Sequence, residues 1–345
     1  MTLTDAATAS AVDALHLTST QVGSPLRSAL SRLPAQLRLG AEFHFGFCDA
    51  EGTPTTASQG KMVRPAFAFA AARAVSGGAP TALVLRAGVA VELVHNFSLI
   101  HDDVMDQDRV RRGRPTVWAE FGVPYAILLG DAMLSLATLV LTQDGDEDAA
   151  AMGAELNAVV VDLCVGRLQD MTFEQTLRVS PEEYLDMAGG KTAALLSGSC
   201  AIGARAGGAC PDQESALRRF GHHVGLAFQL VDDLLGIFGD PKVTGKPVGA
   251  DLLRYKKSMP VVAAMRSNSA AADELAELYR TRSITGANLG HAVALVQRAG
   301  GKDWTQAEAV RQYELAIESL DEAGGDPQAS AELHALARYM VNRSK

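Results

Sequence analysis

Apolar residues recur along this chain in long Ala- and Leu-rich stretches, interrupted by short clusters of Gly, Pro or Asp. Recurrence at three and four residues puts apolar side chains on one face of a helix, whereas the alternation typical of strands and the tight turns that join them are almost absent. The pattern predicts an all-α chain. Helix stops or turns fall near Ser76-Gly77-Gly78-Ala79-Pro80, Gly113-Arg114-Pro115, Gln143-Asp144-Gly145-Asp146, Ser180-Pro181, Gly207 to Pro211, Gly239-Asp240-Pro241 and Gly300-Gly301. The segments between them run about 15 to 30 residues, lengths suited to a bundle around a central cavity. No long polar linker and no internal repeat divides the chain, so residues 26–345 read as one domain. Residues 1–25, rich in Ala, Thr and Ser, read as a flexible arm.

Two apolar segments carry acids at chosen points. Thr81 to Met105 reads as one long helix on which His95, Asp102 and Asp106 share a stripe, with Ser98 one turn below Asp102. Leu226 to Phe238 repeats the arrangement, embedding Gln229, Asp232 and Asp233 among Phe228, Leu230, Val231, Leu234 and Leu235. Two such helices facing each other are expected to form an acidic rim over an apolar trough.

Composition narrows the function. With 345 residues and 48% hydrophobic content the chain can bury a sizeable core. A net charge of -9 argues against general nucleic-acid binding, which needs clustered, unneutralised Lys and Arg. Cys48, Cys164, Cys200 and Cys210 show neither metal-ligand spacing nor a disulfide framework, which fits a reducing cytoplasm. The first 25 residues resemble neither a secretory signal nor a transit peptide. The most apolar run, Pro124 to Leu141, carries Asp131 in its middle and reads as a buried helix rather than a membrane span.

Carboxylates without Cys and with few His are hard oxygen donors, suited to Mg²⁺ or Mn²⁺ rather than zinc. Mg²⁺ usually divides its coordination between one or two carboxylates and phosphate oxygens, so the expected ligand is a phosphate ester. A single Asp-Asp pair is commonly a solvated helix end. Two clusters flanked by Leu, Ile and Val are harder to explain that way, because buried acids without partners are costly. Basic residues complete the picture: Lys61 and Arg64 lie three apart, and Arg111-Arg112 follows the first cluster. Each alone is ordinary surface charge; together they suggest two phosphate-bearing substrates.

Taken together, Gly60-Lys61-x-x-Arg64-Pro65, Asp102-Asp103-x-x-Asp106 with Arg111-Arg112-Gly113, Lys191-Thr192-Ala193 and Phe228-Gln229-x-x-Asp232-Asp233 resemble, in order and spacing, the motifs of the trans-isoprenyl diphosphate synthases, the polyprenyl synthetase family. The match extends through Gly239-Asp240-Pro241, Thr244-Gly245-Lys246, Asp251-Leu252 and Lys256-Lys257-Ser258, covering roughly residues 40 to 340. The resemblance implies a head-to-tail condensation of isopentenyl diphosphate with dimethylallyl, geranyl or farnesyl diphosphate. It implies that Asp102, Asp106 and Asp232 bind Mg²⁺, with Asp103 and Asp233 as ligands or their supports. Arg111, Lys191, Lys246 and Lys256 would add positive charge around the allylic diphosphate, and Thr192 and Gln229 hydrogen bonds. Lys61, Arg64, His95 and Arg112 would hold isopentenyl diphosphate. A homodimer with a complete site in each subunit is implied as well.

This sequence departs from the family pattern in places. Gly236 stands where many relatives carry a third Asp, with Asp240 four residues on as a substitute through water; Met62 and Val63 replace a basic residue and a Leu. Phe97 occupies the family's size-determining position five before the first Asp, and Ser98 leaves space beside it. The expected product is the C20 geranylgeranyl diphosphate, with the C15 farnesyl diphosphate as the alternative. A class I terpene cyclase would have no use for a second diphosphate pocket. A non-catalytic subunit of a heteromeric synthase would have no need of the aspartates.

Overall fold

The computed structural model describes residues 3–55, 60–145, 147–176, 178–240 and 248–342. The chain is built of helices, as its periodicity predicts, with one two-stranded hairpin and one isolated bridge, Cys48 with Pro54, among the described residues. It divides into two compact units. Residues 1–160, 198–217 and 323–336 form the first, and residues 161–197, 218–322 and 337–345 the second.

In the first unit, α1 (Leu3–Leu30), α2 (Ala35–Phe45), α3 (Val63–Ser76), α4 (Ala82–Met105), α5 (Val117–Phe121) and α6 (Val123–Thr142) are joined by short connections. Helix α4 is the centre: it packs most extensively on α6 and also on α3, α1 and α5. The Thr81 hydroxyl caps it, accepting from Val84 N at 3.3 Å. Small residues let its neighbours come close, Gly88 lying under the Phe69 ring of α3 and Gly130 of α6 under the His101 ring. Its interior turns are sealed, with Ala87, Ala90, Val91, Leu93 and Val94 fully buried, so the residues at its C-terminal end project from a rigid rod. After α4 the strands β1 (Val110–Arg111) and β2 (Arg114–Pro115) pair antiparallel around Arg112 and Gly113, both at positive φ, as a two-residue hairpin turn requires.

The second unit contains α8 (Pro181–Ala188), a π-helical turn (Gly189–Ala193), α11 (Ala250–Leu253), α12 (Met259–Arg266), α13 (Ala270–Arg280), α14 (Leu289–Arg298) and most of α15 (Gly301–Ala323). Helices α7 (Glu147–Phe173), α9 (Ala194–Ala206), α10 (Pro211–Phe238) and α16 (Pro327–Val341) contribute residues to both units. A full capping box, Ser180 with Glu183, starts α8. Tyr184, Met187, Leu226, Leu230 and Met259 form one core cluster, and Ile237, Leu252, Val261, Leu275 and Leu295 another.

The structure alters four sequence readings. Residues 3–30 are helical, and Ala11, Ala14, Leu15, Thr18 and Val22 are buried, so the segment read as an arm contains packed helix. The helix of the second acidic cluster begins at Pro211 rather than Leu226, because Arg218, Arg219, His222 and His223 disguise the one-turn rhythm of buried Ala216, Leu217, Phe220 and Val224. The basic pair Arg111-Arg112 sits on a hairpin, too short to leave an alternating pattern. Finally, α4, α6 and α7 are each long and apolar enough to cross a membrane by length and composition, so the run from Pro124 to Leu141 does not fall short on those grounds. The four cysteines are free thiols, Cys48 and Cys200 buried, Cys164 and Cys210 exposed.

Candidate active site

In the first unit, donors gather around the start of α3. Arg64 lies in its first turn, preceded by Met62 at φ 49°, a left-handed conformation unusual for a side-chain-bearing residue. Arg112, at φ 53° on the hairpin tip, brings its guanidinium against Gly60; a Cβ there would lie 2.9 Å from it, so Gly60 is needed for this approach. His95, from α4, is held well below the usual imidazole range by burial and then by the charges of Arg64 and Arg112. Burial likewise lowers Arg64 to about 10, with Glu92 opposing the shift. Among the described residues, none of the Arg64, His95 and Arg112 side chains has a hydrogen-bond or ion-pair partner, and Arg64 Nε is sealed from solvent. Donors assembled without a hydrogen-bonded acceptor favour an anion. Exposed Lys61 stands beside them, one residue before the helix cap.

The acids of α4 take separate roles. Asp103 is buried and gripped by Arg111, whose Nε donates to Oδ1 at 2.8 Å and Oδ2 at 3.1 Å while Nη2 lies 2.7 Å from Oδ1. That pairing anchors the hairpin to the helix. Asp102 is half-buried and Asp106, the C-cap, is exposed. The last turn of α4 carries no basic residue. Acids at the negative end of a helix dipole gain stability from a cation, and hard oxygen donors one turn apart fit Mg²⁺. Phe97 and Ser98 are both buried; Phe97 meets His101 edge-on at 5.6 Å, and the Ser98 hydroxyl donates to His95 O at 2.8 Å.

In the second unit the clusters are tied by hydrogen bonds. Asp233 is buried, and burial pushes its carboxyl up to about 7. It accepts from the Tyr184 hydroxyl, from Met259 N at 2.9 Å and from Gln229 Nε2 at 2.9 Å, so it links α8, α10 and α12. Thr192 donates to Gln229 Oε1 at 2.7 Å, which joins the π-helical turn to this network. Lys191 pairs with Asp170 of α7, which also accepts from Arg167 at 2.9 Å and is lowered by Lys191, despite burial. Lys256 also contributes to that lowering. Asp232 is exposed. Lys246, with Thr244 and Gly245, lies outside the described residues.

Gly236 has a structural reason. A Cβ there would collide with the carboxylate of Asp251, which reaches over it from α11, while Asp240 is exposed beyond the end of α10. The carboxylate that fills the space of a third acid is therefore Asp251, and its charge also raises Asp233 and Tyr184. Asp251→Ala is expected to raise the Mg²⁺ concentration needed for half-maximal turnover several-fold and Asp240→Ala to leave it unchanged; the reverse ordering would return the role to Asp240. Sequence reasoning missed Asp170, Tyr184 and Glu92. Asp170 pairs with a lysine 21 residues away, so no local signal marks it; Glu92 shows itself only as an acid inside Val89-Ala90-Val91 and Leu93-Val94.

Among the described residues no three His, Cys, Asp or Glu side chains converge as a self-sufficient metal cage would. The first unit offers the oxygen donors Asp102 and Asp106, and Arg64, His95 and Arg112 as donors to an anion; the second offers exposed Asp232. The family model for polyprenyl synthetase matches residues 51–296. A geranylgeranyl diphosphate synthase of Mycobacterium tuberculosis is 45% identical over 93% of this chain and 91% of its own. A (2E,6E)-farnesyl diphosphate synthase of Mycobacterium bovis is 43% identical over 92% of this chain and 89% of its own. The crystal structure of a polyprenyl synthetase from Streptomyces coelicolor A3(2) superimposes with a TM-score of 0.90 at 43% identity, covering 96% of this chain and 99% of that one. The chain belongs to the polyprenyl synthetase family. It is a prenyltransferase with the all-α fold of that family.

Proposed function

We propose that the enzyme condenses isopentenyl diphosphate with allylic diphosphates to give geranylgeranyl diphosphate, the farnesyl product being the alternative. The observation that carries the reading is the set of unpartnered donors Arg64, His95 and Arg112 at the start of α3, which suits a diphosphate that remains intact. With Lys61 they hold isopentenyl diphosphate. Asp102, Asp106 and Asp232 supply carboxylates for Mg²⁺, with Mn²⁺ as a substitute. Bound Mg²⁺ would offset the charge of the departing diphosphate as the allylic carbon-oxygen bond breaks.

The protein's own groups act around that event. Lys191, Lys246 and Lys256 add fixed positive charge for the leaving diphosphate, and Arg111, held by Asp103, extends it. Thr192 and Gln229, bonded to each other, keep the lysine turn in register with the acids of α10. The neutral state of His95 suits a hydrogen bond to an oxygen of isopentenyl diphosphate. The double bond of that substrate attacks the allylic carbon, and loss of a proton restores an alkene, so no side-chain nucleophile is needed. The single family match over residues 51–296 supports treating residues 26–345 as one catalytic domain, and the free thiols suit a reducing cytoplasm.

A homodimer is supported by exposed apolar side chains that recur at helical spacing, Leu128 and Leu139 on α6 and Val161, Val165 and Leu168 on α7. These side chains can also account for the apolar composition of both helices without a membrane.

Purified protein incubated with isopentenyl diphosphate and each allylic primer is expected to release a linear C20 diphosphate, identified by mass. A cyclic hydrocarbon, or no product, would overturn the reading. In the same assay Ser98→Phe is expected to shorten the products and Phe97→Ala to lengthen them, since each changes the volume of a buried wall one turn below Asp102. An unchanged distribution in both would remove the C20 preference.

A further inference from the structure

Glu92 takes no part in the steps above, yet it is 2% exposed on a helix whose buried residues are mostly apolar. One of its carboxylate oxygens is well held. Oε1 accepts from Asn96 Nδ2 at 2.8 Å, and the same amide nitrogen lies 2.8 Å from Glu92 O. With its nitrogen committed, Asn96 turns Oδ1 to His44, whose Nε2 lies 3.0 Å away and must carry the proton. Burial holds His44 down to about 3, so it is a neutral donor. The chain His44, Asn96, Glu92 thus runs from α2 into α4 and fixes the carboxylate from one side.

The other side is open. Glu92 Oε2 is sealed from solvent and has no hydrogen-bond partner, and Arg64 Nε, on α3, is in the same condition. The two groups act on each other: Glu92 is the charge that supports protonated Arg64, and Arg64, then Arg112, favour ionised Glu92 against its burial. A buried polar group left unmade costs about 1–3 kcal/mol, and more when charged. Complementary orphans in one electrostatic neighbourhood therefore call for a physical reason.

We propose that Glu92 is a positioning residue for isopentenyl diphosphate: its fixed carboxylate aims the guanidinium of Arg64, and supports that of Arg112, at the diphosphate. The proposal rests on the reading of Arg64, His95 and Arg112 as that substrate's pocket. Its specific content is that an anion of the protein, locked by Asn96 and His44, orders the cations that receive an anion of the substrate. The charged or titratable groups facing Glu92 are Arg64 from α3, Arg112 from the hairpin, His44 from α2 through Asn96, and His95 from its own helix. The two histidines are held neutral. Burial pushes Glu92 up to about 7, so the carboxylate gains its charge, and its hold on Arg64, as the pH rises through neutrality.

The test separates the two readings. Glu92→Gln keeps the shape and the bond from Asn96 but removes the charge. It is expected to raise the KM for isopentenyl diphosphate about tenfold while kcat and the KM for the allylic primer stay within about twofold. In the unaltered enzyme that KM should rise as pH falls from 8 to 6; in Glu92→Gln it should already be high at pH 8, and the additional rise should be lost. An unchanged KM and pH profile, or an equal loss of kcat with both substrates, would overturn the role. Asn96→Leu, which frees the carboxylate without removing it, should move the same KM in the same direction by less, and decides the matter if Glu92→Gln does not fold. Arg64→Gln is the control for the pocket. If it leaves the KM for isopentenyl diphosphate unaltered the pocket assignment fails, whereas a raised KM there with a normal Glu92→Gln refutes the positioning role alone.

Discussion

Replacing Asp102 with Ala is expected to reduce turnover at saturating Mg²⁺ and substrates by about a hundredfold to a thousandfold, the usual loss when one electrostatic stabiliser of a developing anion is removed. Its neighbours cannot take over. Asp103 is buried against Arg111 through two hydrogen bonds from Nε alone, and moving it would release the hairpin that carries Arg112. Asp106, one turn on, keeps a single carboxylate on an exposed cap. A second measurement distinguishes loss of a metal ligand from loss of structure. In metal-free buffer the variant should stay within about 1 kcal/mol of the unaltered protein, because the repulsion relieved at the negative end of α4 is offset by the lost attraction between Asp102 and Arg111. The stabilisation produced by adding Mg²⁺ together with inorganic diphosphate should shrink. Normal turnover, or a variant that is destabilised without metal and responds fully to it, would refute the assignment.

The legible and illegible parts of this site differ in a physical way. Helix α4 can be drawn from the sequence almost to the residue, because Thr81 caps it and one apolar stretch fills it. The acids of α4 and α10 stand out for a related reason, charge set into apolar surroundings. Contacts made when the chain returns from afar leave no such mark. Asp251 fills the space over Gly236 from a different helix, so the missing third acid reads as a loss until the two are seen together. Asp170 is one acid among several on α7 until Lys191 is placed on it. Arg112 reads as one of a basic pair, but only the positive φ of the hairpin tip turns it toward Gly60 while Arg111 turns toward Asp103. The pattern along the chain specifies which surfaces are buried; which buried polar groups meet is decided by tertiary approach.

The glycines of the lysine motif show how strict that approach is. A Cβ at Gly166 of α7 would lie 2.7 Å from Gly190 C and 2.8 Å from Met187 O, and closer still to Lys191 N. A Cβ at Gly190 would lie 2.7 Å from Asp162 O. Helix α7 and the π-helical turn therefore cross backbone against backbone, with no flexible side chain that could yield, and this crossing sets Lys191 on Asp170. Gly166→Ala is expected to lower stability by about 2–3 kcal/mol in urea unfolding, as overpacking of a rigid contact does. It should also push the turn outward and separate Lys191 from Asp170. Turnover should fall at least tenfold in protein that is still folded, because a displacement of about 1 Å in a group that meets the leaving diphosphate is costly to the rate. Gly23→Ala on α1 is the matching control, since nothing lies within 4 Å of a Cβ there. It should be neutral or slightly stabilising, as Ala is the better helix former by about 1 kcal/mol. If Gly166→Ala behaved like Gly23→Ala in both stability and turnover, the position of Lys191 would have to come from the Thr192–Gln229 bond and the acids of α10, and α7 would be a wall of the core rather than part of the catalytic frame.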